Sequence, residues 1–536
     1  MEEAVRYKLL EEPLLSVADA SGRRAERMSL PALYAALVRG TVEDFPAVRP
    51  HQRHVWHAFL VQVGALALHR AGLTGLPDEA GAWRDLLLAL TPDHPDGAAW
   101  ALVAPHARPG LLQPPAPDGD VRAFKRVDTP DALDMLVTAK NHDVKRAVMS
   151  VARPEHWVYA LVSLQTQEGF LGAGNYGVSR MNGGFASRPG FGVTPSSRPG
   201  DRLARDLRCL LTLRGRLLDS HPFFPTQGGH GLVWLAPWDG KASLPPSALD
   251  PFYVEVCRRV RLVADPPSGE LHAVVAGSAA ARVDAKALSG RTGDPWTPLM
   301  PDGDGRKALT VDAGGLTYKR LVPLFFPSPS DPKAPTRALL QEVSADDASE
   351  GLAVVARAVV RGQGKTEGFH ERRVPVSRTM RPFFGPVIAS DAAAKLAGER
   401  VEDVGLFARK VLYPAALAVY TAAPSGAERT RDDDTAKARA GAAVSRLDAR
   451  VDATFFADLD TELALNEHRD AAAAERARWL LRLRDAGRSV LDDVLAAAPT
   501  AAMRHHRTRV RALRRFDAAF RHYFGERVRA ASAATA

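Results

Sequence analysis

Cysteine is nearly absent from this chain, since its 536 residues include only Cys209 and Cys257. Two thiols are too few for a disulfide framework or for a cysteine-ligated zinc site. We therefore interpret both as core thiols, because free cysteine behaves as a small apolar residue and is usually buried.

Patterns typical of a membrane span or of a secretory leader are not found in this sequence either. Residues 55–73 form the longest apolar stretch near the start, yet they include two histidines, a glutamine and an arginine. This mixture predicts a buried helix rather than a membrane span. The first residues, Met-Glu-Glu-Ala-Val-Arg-Tyr-Lys, lack the basic-then-apolar pattern of a signal peptide. We expect a cytoplasmic protein with no membrane partner.

Recognisable catalytic patterns are also lacking. The sixteen histidines include no HxxxH pair beside a helical glutamate, and no Gly-x-Ser-x-Gly elbow occurs. His221, His230 and His370 are isolated in the sequence, and an isolated histidine is more often structural than catalytic. We therefore predict a protein that is not an enzyme, with no catalytic residue, no cofactor and no metal site.

The composition that is present is that of a globular protein with a basic balance. Apolar residues make up 46% and charged residues 25% of the chain, and the formal net charge is +9. A basic protein favours a polyanionic partner, although the position of the charge is more informative than its sum.

The order of local patterns predicts an α+β fold. We expect a large, irregular mixed α/β body over residues 1–386, followed by a four-helix bundle over residues 387–536. In the body we predict helices at 30–38, 53–71, 131–138 and 201–218, and strands at 231–235, 253–263, 271–275 and 352–360. In the bundle, apolar residues recur at three- and four-residue steps. Its helices are predicted at 392–422 (interrupted near Pro414), 435–465, 470–497 and 501–528.

The most informative segment is residues 169–192, in which eight of 24 residues are glycine. Such a segment permits the backbone to lie very close to another molecule. Residues 172–177 also read GxGxxG, the pattern of a dinucleotide-binding turn. That turn needs a strand before it and a helix directly after it, and the residues that follow cannot form a helix.

A second glycine-rich segment, residues 361–366, follows a strand-like run and ends in Gly-Lys-Thr. One interpretation is a P-loop-like, ATP-binding nucleotidase that uses residues 362–366, although Val359 stands where the pattern requires glycine. The other interpretation is a β-hairpin tip, with Gly362 and Gly364 supplying the turn.

Basic residues are concentrated in the last predicted helix. Either they form a solvated basic face near a helix C-terminus, or they face phosphates or an acidic protein. The arginines on which the second interpretation depends are Arg504, Arg507, Arg511, Arg514 and Arg515.

Several short motifs together resemble a known family, the CasA-type large subunit of Cascade, the type I-E CRISPR surveillance complex. The resemblance spans almost the whole chain and depends on the order of the motifs. They are the opening 7–15, residues 29–33, the glycine-rich stretch, residues 294–298, residues 362–366 before 371–373, and the C-terminal helices. The cysteine cluster of some members is absent, so no zinc is implied.

The resemblance implies a subunit that reads the protospacer-adjacent motif (PAM) of double-stranded DNA, largely from the minor groove, while guide RNA pairing reads the target. The implied partners are the CRISPR RNA ribonucleoprotein with the other Cascade subunits, and a helicase–nuclease that is recruited after R-loop formation. The bundle is expected to contact the small subunit and the displaced strand.

The resemblance also implies roles for individual residues. In that family a lysine finger helps to read the PAM, and a glutamine wedge helps to part the duplex. The finger corresponds to Lys286, with Arg291 as the alternative. The wedge corresponds to Gln363, with Lys365 or Thr366 as alternatives. A glycine loop corresponds to Gly172, Ala173, Gly174 and Asn175, and a basic loop facing DNA or the guide corresponds to Lys140, Asn141 and Lys145.

Overall fold

The computed structural model divides the chain into two compact units. Unit 1 contains Met1–Leu316 and Lys333–Val376, and unit 2 contains Thr317–Pro332 and Ser377–Ala536. The segment Thr317–Pro332 therefore belongs with the C-terminal helices, although residues of unit 1 flank it in the sequence. The structure describes residues 4–19, 25–134, 149, 151–167, 174–177, 180, 187–348, 350–362, 365–386, 391–421, 434–465, 467–498 and 502–534.

Unit 1 combines helices with short strands. Its helices are α1 (Leu30–Val38), α2 (Arg53–Arg70), α3 (Ala80–Ala89), α4 (Pro154–Thr166) and α5 (Pro199–Ser220). Its strands are β1 (Arg6–Lys8), β2 (Leu15–Ala18), β3 (Ala25–Met28), β4 (Ala101–Val103), β5 (Lys125–Val127), β6 (Gly190–Thr194), β7 (His230–Leu232), β8 (Leu249–Val254), β9 (Arg259–Ala264), β10 (Leu271–Ala276), β11 (Leu299–Asp302), β12 (Gly305–Ala308), β13 (Ala353–Gly362) and β14 (Lys365–Pro375).

The strands form several small sheets. Two antiparallel sheets have three strands each, in the orders β5-β10-β9 and β14-β13-β6. The pairs β1-β4, β2-β3 and β11-β12 are antiparallel, whereas β7 and β8 pair in parallel.

The core of unit 1 surrounds α2, whose side chains are buried from His54 to Leu68. This confirms the predicted buried helix and explains why its sequence has no polar face. On α1, the Tyr34 ring stacks on Trp83 of α3, with 4.4 Å between centroids. Proline in the first turn favours the starts of α1, α4 and α5, because that position needs no N–H donor.

Unit 2 is helical in its described part. Its helices are α6 (Tyr318–Phe325), α7 (Asp391–Phe407), α8 (Tyr413–Tyr420), α9 (Asp434–Leu463), α10 (Arg469–Ala497) and α11 (Ala502–Ala534). A π-helical turn, Ala408–Leu412, joins α7 to α8, which confirms the predicted interruption near Pro414. Tyr318 of α6 stacks on Phe455 of α9 at 4.5 Å.

A buried ion-pair network links the bundle helices. Arg400 of α7 donates to Glu462 of α9 at 2.6 Å, and its guanidinium lies 4.5 Å from the ring centre of Trp479. Arg476 of α10 pairs with Glu462 and also with Asp403, at 3.2 and 2.8 Å. Buried charges of this kind are tolerated when each has a partner, so the network constrains how the helices pack.

The mixed fold class predicted from the sequence is confirmed, and most predicted elements in the described part are present. Two strand predictions need correction. Residues 233–235 form a 3-10 turn that buries Trp234, whose Nε1 donates to the carbonyl of Ala99 at 3.0 Å. The predicted strand 253–263 is interrupted, because the N–H groups of Cys257 and Arg258 donate to Gln165 Oε1 instead of a neighbouring strand, both at 2.8 Å.

Candidate nucleic-acid interface

The glycine-rich stretch connects α4 to β6, so a helix rather than a strand precedes it. This excludes the dinucleotide-binding turn that GxGxxG suggested. At Gly177, an added Cβ would lie 2.1 Å from the carbonyl oxygen of Cys257, and Arg258 Nη1 donates to the Gly177 carbonyl at 3.0 Å. Glycine is therefore required at this position because the backbone lies against the loop between β8 and β9.

Gly174 fixes the stretch to the end of β10. Its φ of 81° lies in the left-handed region that favours glycine. Its carbonyl accepts a hydrogen bond from Ser278 N at 2.8 Å, and a Cβ on Gly277 would lie 3.0 Å from the same oxygen. Two glycine backbones thus touch where the predicted DNA-reading stretch meets the connection from β10 to β11.

A cavity of about 450 Å³ opens beside Gly174 and Asn175. Lys125 and Arg259 lie on its wall, and Lys125 is exposed at the start of β5. Burial lowers the pKa of Arg259, and the guanidinium lies 4.9 Å from the ring centre of Phe124. Nothing in the sequence indicated either basic residue, because only the pairing of β5 and of β9 with β10 brings Lys125 and Arg259 beside the glycines.

The arginines inside the glycine-rich stretch are structural rather than exposed. Arg180 donates to the carbonyls of Pro251 and Tyr253 at 2.8 and 2.9 Å. Arg188 forms a bidentate pair with Asp294 at 2.7 and 2.8 Å, and both side chains are buried. They anchor the segment to the core and are not available to bind a ligand.

Lys286 and Arg291, the two candidates for the finger, lie on the connection from β10 to β11. Both are exposed. Arg291 Nε donates to the carbonyl of Leu288 at 3.0 Å, which holds its side chain back along its own turn. The described part of the chain offers Lys286 no side-chain partner, so its ammonium is available to a ligand.

The segment with the P-loop-like pattern is a β-hairpin. Gly362 pairs with Lys365, and β14 continues antiparallel to β13 as far as Pro375. A P-loop requires a helix after its Gly-Lys-Thr, because the helix N-terminus helps to hold the phosphates. The ATP-binding nucleotidase interpretation is therefore wrong, and the hairpin-tip interpretation is confirmed.

Some predicted site residues lie outside the described part of the chain. They are Gly172, Ala173, Lys140, Asn141, Lys145, Gln363 and Gly364. For Gly362, Lys365 and Arg504 the structure describes the backbone alone.

The predicted basic helix is α11, which buries Phe516, Phe520 and Phe524 around Phe407 at the end of α7. Its opposite face is basic. Arg507, Arg511, Arg514 and Arg515 are all exposed. No described carboxylate pairs with Arg507, Arg514 or Arg515.

Within the described part of the chain, no three histidine, cysteine, aspartate or glutamate side chains are grouped as metal ligands. No described helix is long and apolar enough to cross a membrane.

Comparison with solved structures finds the same fold in several proteins. Cse1 from Acidimicrobium ferrooxidans is 16% identical with a TM-score of 0.66, covering 96% of this chain and 98% of its own. CasA from Thermus thermophilus is 17% identical with a TM-score of 0.64, covering 96% and 99%. Cse1 from Thermobifida fusca is 15% identical with a TM-score of 0.64, covering 98% of both chains. Comparison with curated proteins gives no match.

The family described as CRISPR-associated protein Cse1 (CRISPR_cse1) matches residues 8–490 of this chain. This match includes the glycine-rich stretch, the β10–β11 connection, the β13–β14 hairpin and most of the bundle. The chain therefore belongs to the Cse1 family, the CasA-type large subunits of Cascade.

Proposed function

We propose that this chain is the non-catalytic subunit of a type I-E Cascade that recognises the PAM in double-stranded DNA and helps to open the duplex for guide RNA pairing. The observation that carries the proposal is the contact of Gly174 with Gly277 and Ser278. It attaches the glycine-rich stretch to the same connection that bears the exposed Lys286. A bare backbone held on the connection that also carries an exposed cation suits a narrow groove that bulky side chains cannot enter.

Charge beside the glycines supports the same proposal. Lys125 and Arg259 lie on the cavity wall shared with Gly174 and Asn175. Basic groups around a reading loop hold the DNA backbone through its phosphates and fix its register, while the loop contacts the base edges. We assign Lys286 to the finger in preference to Arg291, because Arg291 already donates to the Leu288 carbonyl.

The hairpin supports the assignment of the wedge. Ser187, at the end of the glycine-rich stretch, donates its hydroxyl hydrogen bond to the carbonyl of Val359 on β13. The hairpin tip begins three residues further along the strand. A strand held against the glycine-rich stretch and ending in a turn suits a side chain that enters a base step, and we propose Gln363 for that role, with Lys365 and Thr366 as alternatives.

The remaining parts of the proposal concern partners. We propose that the chain assembles with the CRISPR RNA ribonucleoprotein and the other Cascade subunits in the cytoplasm. In that complex it would recruit the helicase–nuclease once the R-loop has formed, and the basic loop near Lys140, Asn141 and Lys145 would contact DNA or the guide. The α11 face would lie along the displaced strand.

The test is binding of the assembled complex to a duplex library randomised at the PAM, at fixed salt because phosphate contacts depend on it. Wild type is expected to select a short motif. Lys286→Ala is expected to reduce the difference in binding free energy between selected and unselected PAMs by about 1–3 kcal/mol, the range for discrimination by one base-reading side chain. Gln363→Ala is expected to lose duplex capture and keep single-strand capture, because only duplex targets must be opened.

The matched control is Arg84→Ala, which removes one exposed positive charge from α3 of the same unit. It should leave selection unchanged. If wild type selects no motif, or if Arg84→Ala relaxes selection as much as Lys286→Ala, the proposal is wrong. If Arg291→Ala relaxes selection and Lys286→Ala does not, the finger is Arg291.

A further inference from the structure

A second basic site lies in unit 1, against the β14-β13-β6 sheet. A cavity of about 100 Å³ opens between α1, α2, the start of α5 and the β14-β13-β6 sheet. Since one water needs about 10–15 Å³, this cavity has room for a phosphate group but not for a whole nucleotide. Its lining includes five arginines: Arg53, Arg198, Arg202, Arg357 and Arg373.

Arg202 is the central group of this arginine pocket. Its side chain is 8% exposed, and Nε lies 3.8 Å from Asp206 Oδ2, too far for a hydrogen bond. Asp206 is already held by His57 at 2.8 Å and by Arg205 at 3.1 Å. The described part of the chain provides no hydrogen bond to the Arg202 guanidinium. A buried charge without hydrogen bonds is costly, so the pocket favours an anion.

The other arginines differ in how far their charge is neutralised. Arg53 pairs with Asp44 at 3.1 Å, Arg357 with Glu371 at 2.8 Å, and Arg198 with Asp201 at 3.4 Å. For the Arg373 guanidinium, the described residues provide one hydrogen bond, to the carbonyl of Ser196 at 3.5 Å. Among these five arginines, and within the part of the chain that the structure describes, Arg202 is the one whose carboxylate contact lies beyond hydrogen-bonding distance, and Arg373 the one without a carboxylate partner.

The start of α5 lines the same side of the pocket through Ser196, Ser197, Arg198 and Pro199. The positive end of the helix dipole favours an anion there. Backbone donors are few among these residues, because proline has no N–H and the Arg198 N–H donates to Ser196 Oγ at 2.9 Å. Asp201 in the first turn is the competing acid, and it is occupied by the Ser196 hydroxyl at 2.6 Å.

We propose that this arginine pocket binds a phosphate group, either free phosphate or the terminal phosphate of a nucleotide. Arg202 supplies the buried charge, Arg373 the charge at the entrance, and the start of α5 the positive end of a helix dipole. The site does not depend on the proposed DNA-reading function.

The test is calorimetric titration of the full chain with sodium phosphate and, separately, with AMP, at constant ionic strength. Saturable binding is expected in the millimolar range or tighter. Arg373→Gln is expected to weaken it at least about tenfold, because the variant loses a charge-assisted hydrogen bond to the anion. Arg202→Gln is expected to abolish it. Tighter binding of phosphate than of AMP would identify the free ion, and the reverse would identify a nucleotide.

The matched control is Arg372→Gln, which removes the same charge from the neighbouring position of β14. Successive strand residues point to opposite faces, so Arg372 does not line the pocket. Because Arg373 is exposed, its variant tests the site even if the Arg202 variant fails to fold. Absence of saturable binding by either probe, or equal weakening in the Arg372 and Arg373 variants, would overturn the proposal.

Discussion

At the scale of single residues, Gly177 shows how closely the glycine-rich stretch packs. A methyl group there would lie 2.1 Å from a carbonyl oxygen and 2.5 Å from Arg258 Nη1. Backbone cannot move aside cheaply, so we expect Gly177→Ala to lower the free energy of unfolding of unit 1 by about 1–3 kcal/mol. Urea unfolding followed by tryptophan fluorescence measures this, because seven of the eight tryptophans lie in unit 1.

Gly215→Ala in α5 provides the opposite control. An added methyl group meets nothing within 4 Å, and alanine is favoured over glycine inside a helix. We expect this variant to raise the unfolding free energy by about 0.5–1 kcal/mol. Unchanged stability of Gly177→Ala would mean that the loop carrying Cys257 can move away.

Residue roles were the hardest property to predict from the sequence. The abundance of glycine predicts close approach to another molecule, and that stays a prediction; the described Gly174 and Gly177 lie against backbone of this chain itself. The local sequence did not predict that Arg180 and Arg188 are buried. Asp294, which neutralises Arg188, is 106 residues away from it in the sequence. Likewise, no local pattern revealed Arg202, whose environment is assembled from two helices and a sheet.

At the scale of elements, helices were predicted better than strands. The apolar residues of α9 recur with a helical period along its whole length, so the pattern can be recognised locally. The predicted helix 435–465 accordingly corresponds to Asp434–Leu463. The break between β8 and β9 depends on the Gln165 side chain, which is 92 residues away from Cys257, so no local pattern could reveal it. The assignment of α6 to unit 2 depends on similarly distant contacts, such as that of Tyr318 with Phe455.

The basic face of α11 is also a property of an element, and its function is a prediction. We expect Arg514→Gln combined with Arg515→Gln to weaken binding of the full chain to single-stranded DNA. The plot of log affinity against log salt should become shallower by about 0.7 for each phosphate that the variant no longer neutralises. Fluorescence titration with a labelled oligonucleotide at several salt concentrations measures this slope.

Arg484→Gln is the control for that experiment, because Arg484 is exposed on α10 and already pairs with Asp485 at 2.8 Å. Its slope should equal that of wild type. If the double variant of α11 also keeps the wild-type slope, the helix carries a solvated basic face and does not contact nucleic acid.

At the scale of the whole molecule, buried histidines make the stability of unit 1 depend on pH. Burial lowers the pKa of His57 to about 4, and Arg202 adds to the shift. Burial similarly lowers the pKa of His54 to about 3. In an unfolded chain a histidine titrates near a pKa of about 6.5. Both side chains are therefore neutral in the folded protein at about pH 5, where the unfolded chain binds protons.

Because the folded pKa values are the lower ones, the unfolded state gains protons first as the pH falls from about 6.5 to about 4, and stability is lost across that window. We expect the free energy of unfolding of unit 1 to fall between about pH 7 and pH 5, with His57 contributing on the order of 1–2 kcal/mol. Urea unfolding at pH 7 and at pH 5 measures this difference in unfolding free energy. His57→Gln keeps a donor for Asp206 but cannot titrate, so the difference should be smaller in this variant than in wild type. His230→Gln, at an exposed position, should leave the difference as in wild type. An undiminished difference in His57→Gln would show that this histidine does not resist protonation in the folded protein.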